Sequence, residues 1–332
     1  MTELAETTAL VGIDAIRAAA ATLDGVTIRT PLVPFGPPGS NEWLKAESLQ
    51  PIGAFKLRGA YVAVASLDPE QRARGVITYS SGNHAQGVAR AARLLRAPAV
   101  VVMPSDAPWI KRDRVEADGA EVVVVGTASE ERREVAERLA AERGLHVVPP
   151  FDDDRIIAGQ GTVGLEIVED APDTTAVLVP IGGGGLASGV AAAIKALRPD
   201  IRVVGVEPEL AADARDSLEQ GRIVDWPADL VSRTIADGTR TQHLGRRTFA
   251  HLQRHIDDIV TVTEDQIAAG VRLAAEAARL VVEPSGALGI AAVRYRRQEA
   301  GIERARRVVA IVSGGNVDPD RYRELLASPI PD

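Results

Sequence analysis

From residue 75 onward the chain alternates apolar runs of strand length with amphipathic runs of helix length, each closed by Gly, Pro or Asp. No other feature constrains the fold as much, because successive strand–helix–strand units bury both faces of a parallel sheet under helices. Strands are predicted at 76–79, 99–103, 121–125 and 146–148, with helices near 84–96, 108–118 and 129–143. A second series follows Pro149, with strands at 176–179, 202–206, 258–262 and 308–312. Thr263 and Gln266 form a capping box, and Ile267, Val271, Ala274 and Ala278 then recur at helical spacing. The expectation is an α/β protein with two open doubly wound sheets and a small domain inserted in a larger one. Residues 1–52 and 150–332 would form the large domain and 53–149 the small one, whose core is about 75–149.

Charge and composition narrow the function. The 332 residues carry a net charge of −8, with Lys and Arg scattered among Asp and Glu, so the electrostatic footprint of a nucleic-acid binder is missing. The chain has no cysteine, which excludes thiolate nucleophiles, disulfides, iron–sulfur clusters and cysteine zinc sites. Apolar runs such as 99–103 are far too short to span a membrane, and Glu3 stands where a signal peptide would carry lysine. A cytoplasmic, unprocessed enzyme acting on a small molecule is expected, with no nucleic-acid or membrane partner.

Pro180-Ile181-Gly182-Gly183-Gly184-Gly185-Leu186 places four glycines between a predicted strand and a predicted helix. Without Cβ atoms, backbone N–H groups can converge on an anion, and the helix N-terminus adds partial positive charge. A phosphate is the expected guest; a tight turn that only joins helix to strand is the alternative. Ser80-Ser81-Gly82-Asn83-His84, Ser313-Gly314-Gly315-Asn316 and Ala158-Gly159-Gln160-Gly161-Thr162 are polar and glycine-rich, and as strand-end loops they would line one cleft between two domains. Helix capping explains any one of them equally well. Lys56, among apolar and small neighbours from Gly53 to Ala60, would have its basicity lowered as a Schiff-base or general-base amine requires, although most lysines are solvated surface charges.

Together these segments resemble the pyridoxal-phosphate enzymes of fold type II, the tryptophan synthase β superfamily, and within it the threonine/serine dehydratases and serine racemases. The resemblance runs from about Leu32 to Asp318 through five motifs in order: 45–60, 80–87, 159–167, 180–189 and 313–318. It implies that Lys56 holds pyridoxal 5′-phosphate covalently with Phe55 packed beside the ring, that Asn83 bonds the cofactor's 3′-oxygen, and that the backbone of Gly182, Gly183, Gly184, Gly185 and Leu186 cradles its phosphate. Ser313 would face the pyridine nitrogen; a neutral hydroxyl there makes a weaker electron sink and favours elimination. Ser80, Ser81, Asn83 and His84 would bind the substrate carboxylate through hydroxyl and amide donors.

The activity so implied is an L-threonine/L-serine ammonia-lyase giving 2-oxobutanoate or pyruvate plus ammonia. The alternatives are a serine racemase with dehydratase side activity, or a lyase for another β-hydroxy amino acid such as threo-3-hydroxyaspartate. Ser81 bears on that choice: in the racemase branch this serine moves a proton on the face opposite lysine, whereas its simpler role is to bond the substrate carboxylate. Glu207, the Ala211 carbonyl and Asp213 resemble the Mg²⁺ or Ca²⁺ loop of racemases, set against plain helix capping. Asp152-Asp153-Asp154 reads as a solvated turn. Ala54, Pro149 and the stretch 239–244 depart from the commoner family pattern, and the last could border the substrate side chain. The resemblance also implies a homodimer, and the chain end leaves no room for a regulatory domain.

Overall fold

The run Val308-Val309-Ala310-Ile311-Val312 is apolar at every position because this strand lies inside a sheet covered on both faces. The computed structural model describes residues 9–331 except 81, 106, 108, 127 and 128, and for 110, 129 and 130 the backbone alone. Ten strands are described: β1 (Leu32–Phe35), β2 (Glu42–Ala46), β3 (Val76–Tyr79), β4 (Ala99–Pro104), β5 (Glu121–Val125), β6 (His146–Val147), β7 (Ala176–Pro180), β8 (Arg202–Pro208), β9 (Asp258–Val262) and β10 (Val308–Val312). They form a six-stranded sheet in the order β1-β2-β10-β7-β8-β9 and a four-stranded sheet in the order β5-β4-β3-β6. Only the β1–β2 pair is antiparallel.

Alternate residues of each strand feed opposite layers. Leu178, Val204, Ala310 and Val312 pack under the helices Glu264–Leu273 and Pro284–Tyr295, whereas Val177, Val203, Val309 and Ile311 meet Asp154–Asp170 and Gly185–Leu197. In the small sheet Val76, Val101 and Met103 pack on Leu57–Ala65 and Asn83–Leu95, with Ile77, Val100 and Val102 beneath Ser129–Arg143. Each fully buried Val, Leu or Ile stabilises by roughly 1.5–3 kcal/mol before chain entropy is counted.

Three differences from the sequence expectation have physical causes. β1 and β2 extend the large sheet from the N-terminal segment, where Pro34 within β1 and the charged Glu42 and Lys45 of β2 hide the pattern. The helix predicted through Ala278 leaves α geometry after Leu273 and closes with a wider π turn over Ala274–Ala278, because Arg279 turns left-handed and the Leu280 N–H reaches back to the Ala274 carbonyl. Residues 158–162 are not a strand-end loop but lie inside the helix Asp154–Asp170. Their glycines serve packing: a Cβ on Gly159 would lie 2.6 Å from the Gly59 Cα, and one on Gly161 3.0 Å from the Gly189 carbonyl.

The two sheets meet where Lys56 stands. Ala54 forms an isolated bridge with Gly314, and the Phe55 N–H donates to the Ser313 carbonyl at 3.1 Å. The segment leaving β2 is thereby stitched to the C-terminal end of β10.

Candidate active site

A cavity of about 540 Å³ opens at the carboxyl ends of strands from both sheets. The residues singled out in the sequence converge on it: Phe55, Lys56, Ser80, Asn83, His84, Gly182 to Leu186 and Ser313 all contribute to its lining. Ser81 lies outside the described residues. Glu207, Ala211 and Asp213 do not line it, nor does the 158–162 segment.

Lys56 sits at the N-cap of the helix Leu57–Ala65, and its Nζ donates to the Pro150 carbonyl at 2.7 Å. Burial lowers its pKa to about 8, so a substantial fraction of the amine is unprotonated and nucleophilic near neutral pH. Its placement depends on a buried ionic knot two residues on. Arg58 is bidentate to both Glu47 (Nε 2.8 Å, Nη2 2.9 Å) and Glu166 (Nη1 2.6 Å, Nη2 3.0 Å), and Nη1 also donates to Thr162 Oγ1 at 3.0 Å. Lys45 Nζ closes the set on Glu166 at 2.5 Å. Burial opposes the charge on Glu47, but Arg58 beside it prevails and holds that carboxyl below its usual range. Five forked donors are what this geometry requires, so lysine could not replace Arg58.

Opposite lies the glycine turn. Gly183 to Leu186 are buried, and the N–H groups of Gly182 to Leu186 find no acceptor among the described residues, as expected at the start of the helix Gly185–Leu197. Gly184 has φ +89°, which L side chains rarely adopt, and a Cβ on Gly183 would lie 2.2 Å from the Phe151 ring. Bare, inward N–H groups on a rigid turn are an anion site.

The polar side chains have set partners. Ser80 Oγ accepts from the Gly82 N–H at 3.3 Å, and Ser313 Oγ donates to the Ser285 carbonyl at 3.4 Å. The Asn83 amide donates to Glu283 Oε1 at 2.6 Å and accepts from Asn316 Nδ2 at 2.8 Å. His84 Nε2 lies 3.1 Å from the Val148 carbonyl, while buried Nδ1 has no partner. Burial first, and the charge of Lys56 second, bring its pKa down to about 3. The carbonyl therefore takes the Nε2 proton and leaves Nδ1 as an acceptor.

Sequence reasoning missed Glu283, Lys111, Asp237 and Phe151, all in the lining. Lys111 Nζ meets Asp237 Oδ2 at 2.6 Å, and neither residue belongs to a motif that marks it in sequence. The stretch 239–243 does line the cavity.

Away from the cavity, Glu207 caps the helix Asp213–Gln220, accepting from the N–H groups of Ala214 (3.0 Å) and Arg215 (2.8 Å). Both Asp213 carboxylate oxygens are buried without partners. Burial drives the Asp213 pKa up to about 8; burial and then Asp213 raise that of Glu207 well above its usual range. No group of three acidic, His or Cys side chains gathers as a metal site among the described residues. Asp152 to Asp154 form a capping turn more than a solvated one: Asp152 accepts from Arg247 and Thr248, and Asp153 caps the helix that follows.

What this cavity can hold is a molecule with a phosphate at one end and, at the other, a carbonyl that an unprotonated amine attacks. That chemistry is pyridoxal phosphate, and the orphaned N–H groups, the half-buried lysine and the clamped asparagine fit it. The family described as pyridoxal-phosphate dependent enzyme matches residues 23–314, and the chain belongs to it. It is 42% identical over 289 residues to the L-threo-3-hydroxyaspartate ammonia-lyase of Saccharomyces cerevisiae, covering 87% of each chain. Identity is 41% to the L-threonine ammonia-lyase of Thermotoga maritima, over 96% of this chain and 78% of that protein. Among solved structures, maize serine racemase superposes with a TM-score of 0.91 at 38% identity, covering 95% of this chain and 97% of that one. The fold is that of fold-type II enzymes and the cofactor is pyridoxal phosphate. No helix among the described residues is long and apolar enough to cross a membrane.

Proposed function

We propose that the chain is an ammonia-lyase of β-hydroxy amino acids, with L-threo-3-hydroxyaspartate as its preferred substrate. The observation that carries the reaction class is that a Lys56 amine of lowered basicity and the glycine turn line one cavity. Pyridoxal phosphate, when bound, supplies the electron sink that acidifies the substrate Cα–H. Lys56 Nζ takes the Cα proton, Ser80 and the backbone N–H of Asn83 orient the substrate carboxylate, and the β-hydroxyl departs as water. Hydrolysis of the released enamine restores that water and yields ammonia and a 2-oxo acid, so the reaction balances without a second substrate.

The charge of the lining supports the dicarboxylate. Lys111, Arg132, Arg133 and Arg240 line the cavity against Asp237 and Glu283, a net cationic wall that suits a substrate with more than one anionic group. The second reading is the L-threonine/L-serine ammonia-lyase, favoured by the nearly equal identity, 41%, to the L-threonine ammonia-lyase. Parallel assays of oxaloacetate, 2-oxobutanoate and pyruvate formation test this. Hydroxyaspartate should lead in kcat/KM by about tenfold or more, in line with one well-placed charge contact; a lead for threonine or serine overturns the substrate assignment and keeps the reaction class.

The racemase alternative turns on Ser81: D-serine formation that Ser81→Ala abolishes while elimination persists would establish it. We also read Glu207, the Ala211 carbonyl and Asp213 as a Mg²⁺ or Ca²⁺ site, supported by the two partnerless Asp213 oxygens. The division at 53 and 149 into two domains and a homodimeric, cytoplasmic protein complete the proposal.

A further inference from the structure

Glu283 is a carboxyl group that the fold builds into the cavity wall without giving it a cation of its own. It is 3% exposed at the N-cap of the helix Pro284–Tyr295, and Gly314 makes room for it, since a Cβ there would lie 2.2 Å from Oε1. Its partner is the Asn83 amide at 2.6 Å. The other end of that amide is held by Asn316, whose Nδ2 also reaches the Ile52 carbonyl at 2.8 Å. Asn83 is thus gripped on both sides and cannot flip.

The charged groups facing Glu283 come from two elements. Lys111 arises from the helix Trp109–Ala117 and Asp237 from the turn Asp237–Thr239, and these two are already paired with each other at 2.6 Å. From the helix Asn83–Leu95 and the loop after β10 it meets only the neutral Asn83 and Asn316. Burial, and then the like charge of Asp237, push the Glu283 carboxyl up to about 8, with Lys111 and the Asn83 hydrogen bond pulling less strongly the other way.

We propose that Glu283 is a positioning residue that works as a neutral acid, turning the Asn83 amide toward the cofactor while keeping negative charge away from it. The inference rests on Asn83 contacting the cofactor. A protonated carboxyl accepts from one Asn83 N–H without adding charge, and leaves the second N–H for an oxygen of the cofactor ring. Losing the proton places an anion beside that contact and draws Lys111 from Asp237.

The test uses the purified protein stripped of and reloaded with pyridoxal phosphate. Cofactor dissociation constants, from quenching of tryptophan fluorescence, and the visible absorbance are followed from about pH 6 to 10 for wild type, Glu283→Gln, Glu283→Ala and Asn83→Ala. Glu283→Gln, neutral at every pH, should bind within about threefold of wild type below about pH 7 and lack the loss of affinity above about pH 8 that ionised Glu283 imposes on wild type, while the gain from Lys56 deprotonation is common to both. Glu283→Ala should bind about tenfold more weakly throughout, and if it does not fold, Asn316→Ala, which frees the other side of the amide, gives the same readout. A Glu283→Gln protein that keeps the wild-type loss of affinity above about pH 8, or binds as poorly as Glu283→Ala, overturns the proposal. Unchanged affinity in Asn83→Ala overturns the cofactor contact itself, and with it this inference, whatever the substrate assays give.

Discussion

The Lys56 amine rests on the Pro150 carbonyl at 2.7 Å, so without a covalent partner the amine is held by an uncharged oxygen and not by a carboxylate. A carboxylate would raise its pKa; burial alone lowers it to about 8. Only the unprotonated amine attacks an aldehyde, so the rate of cofactor loading should climb about tenfold from pH 7 to 9 and then level off. Stopped-flow absorbance checks this, and a rate flat across that range would mean that the amine is already free at neutral pH. Lys56→Ala should show no visible cofactor band and no turnover.

Gly183 tests the anion cradle. With the Phe151 ring 2.2 Å from where a Cβ would sit, Gly183→Ala must displace the ring or the turn. Overpacking of this kind costs about 1–3 kcal/mol, and we expect cofactor affinity to fall by about tenfold or more with the thermal transition of the stripped protein lowered only modestly. Unaltered affinity would argue that the turn merely joins strand to helix.

Breaking the knot around Arg58 should be costly. Arg58→Met leaves Glu47 and Glu166 buried without their shared partner, and we expect a loss of about 3–5 kcal/mol in denaturant unfolding. Arg58→Lys should recover little of it, because one ammonium cannot serve two carboxylates in bidentate fashion. Full recovery would show that charge alone matters there.

Millimolar Mg²⁺ or Ca²⁺ should raise the midpoint of thermal unfolding by several degrees, since a cation bound only by the folded state stabilises by mass action. Asp213→Asn should erase that response while raising the midpoint measured without metal, because it removes a buried carboxylate that has no partner. An Asp213→Asn protein that still responds to the ion would place the binding site elsewhere.

The acid side of the stability profile follows from His84. Its pKa falls to about 3 on folding, so the unfolded chain binds the extra proton. Stability should therefore decline as pH drops from the ordinary histidine range toward 3, by at most about 1.4 kcal/mol per pH unit from this group. His84→Asn should flatten that limb in pH-resolved unfolding; an unchanged slope would assign it to other groups.

Local pattern carried most of this fold. Strands β3, β5, β9 and β10 stand where the apolar runs put them. Lys56, Asn83, the glycine turn and Ser313 were likewise legible, as short motifs at strand ends. Glu283, Lys111 and Asp237 were not: each is an ordinary charged residue until the chain brings positions 126 and 200 residues apart together. The glycines at 159 and 161 were misplaced for a related reason, since close helix packing and an exposed turn demand the same absence of a side chain.

The position of β10 sets an order of events on the ribosome. Strands β3 to β6 are contiguous in sequence and pair only among themselves, so the small sheet can close as soon as residue 147 has emerged. β2, made long before, must wait for residues 308–312 to slide between it and β7. Lys56 and Ser313 become neighbours only at that final insertion, so the complete cofactor pocket exists only once the chain has been made through β10.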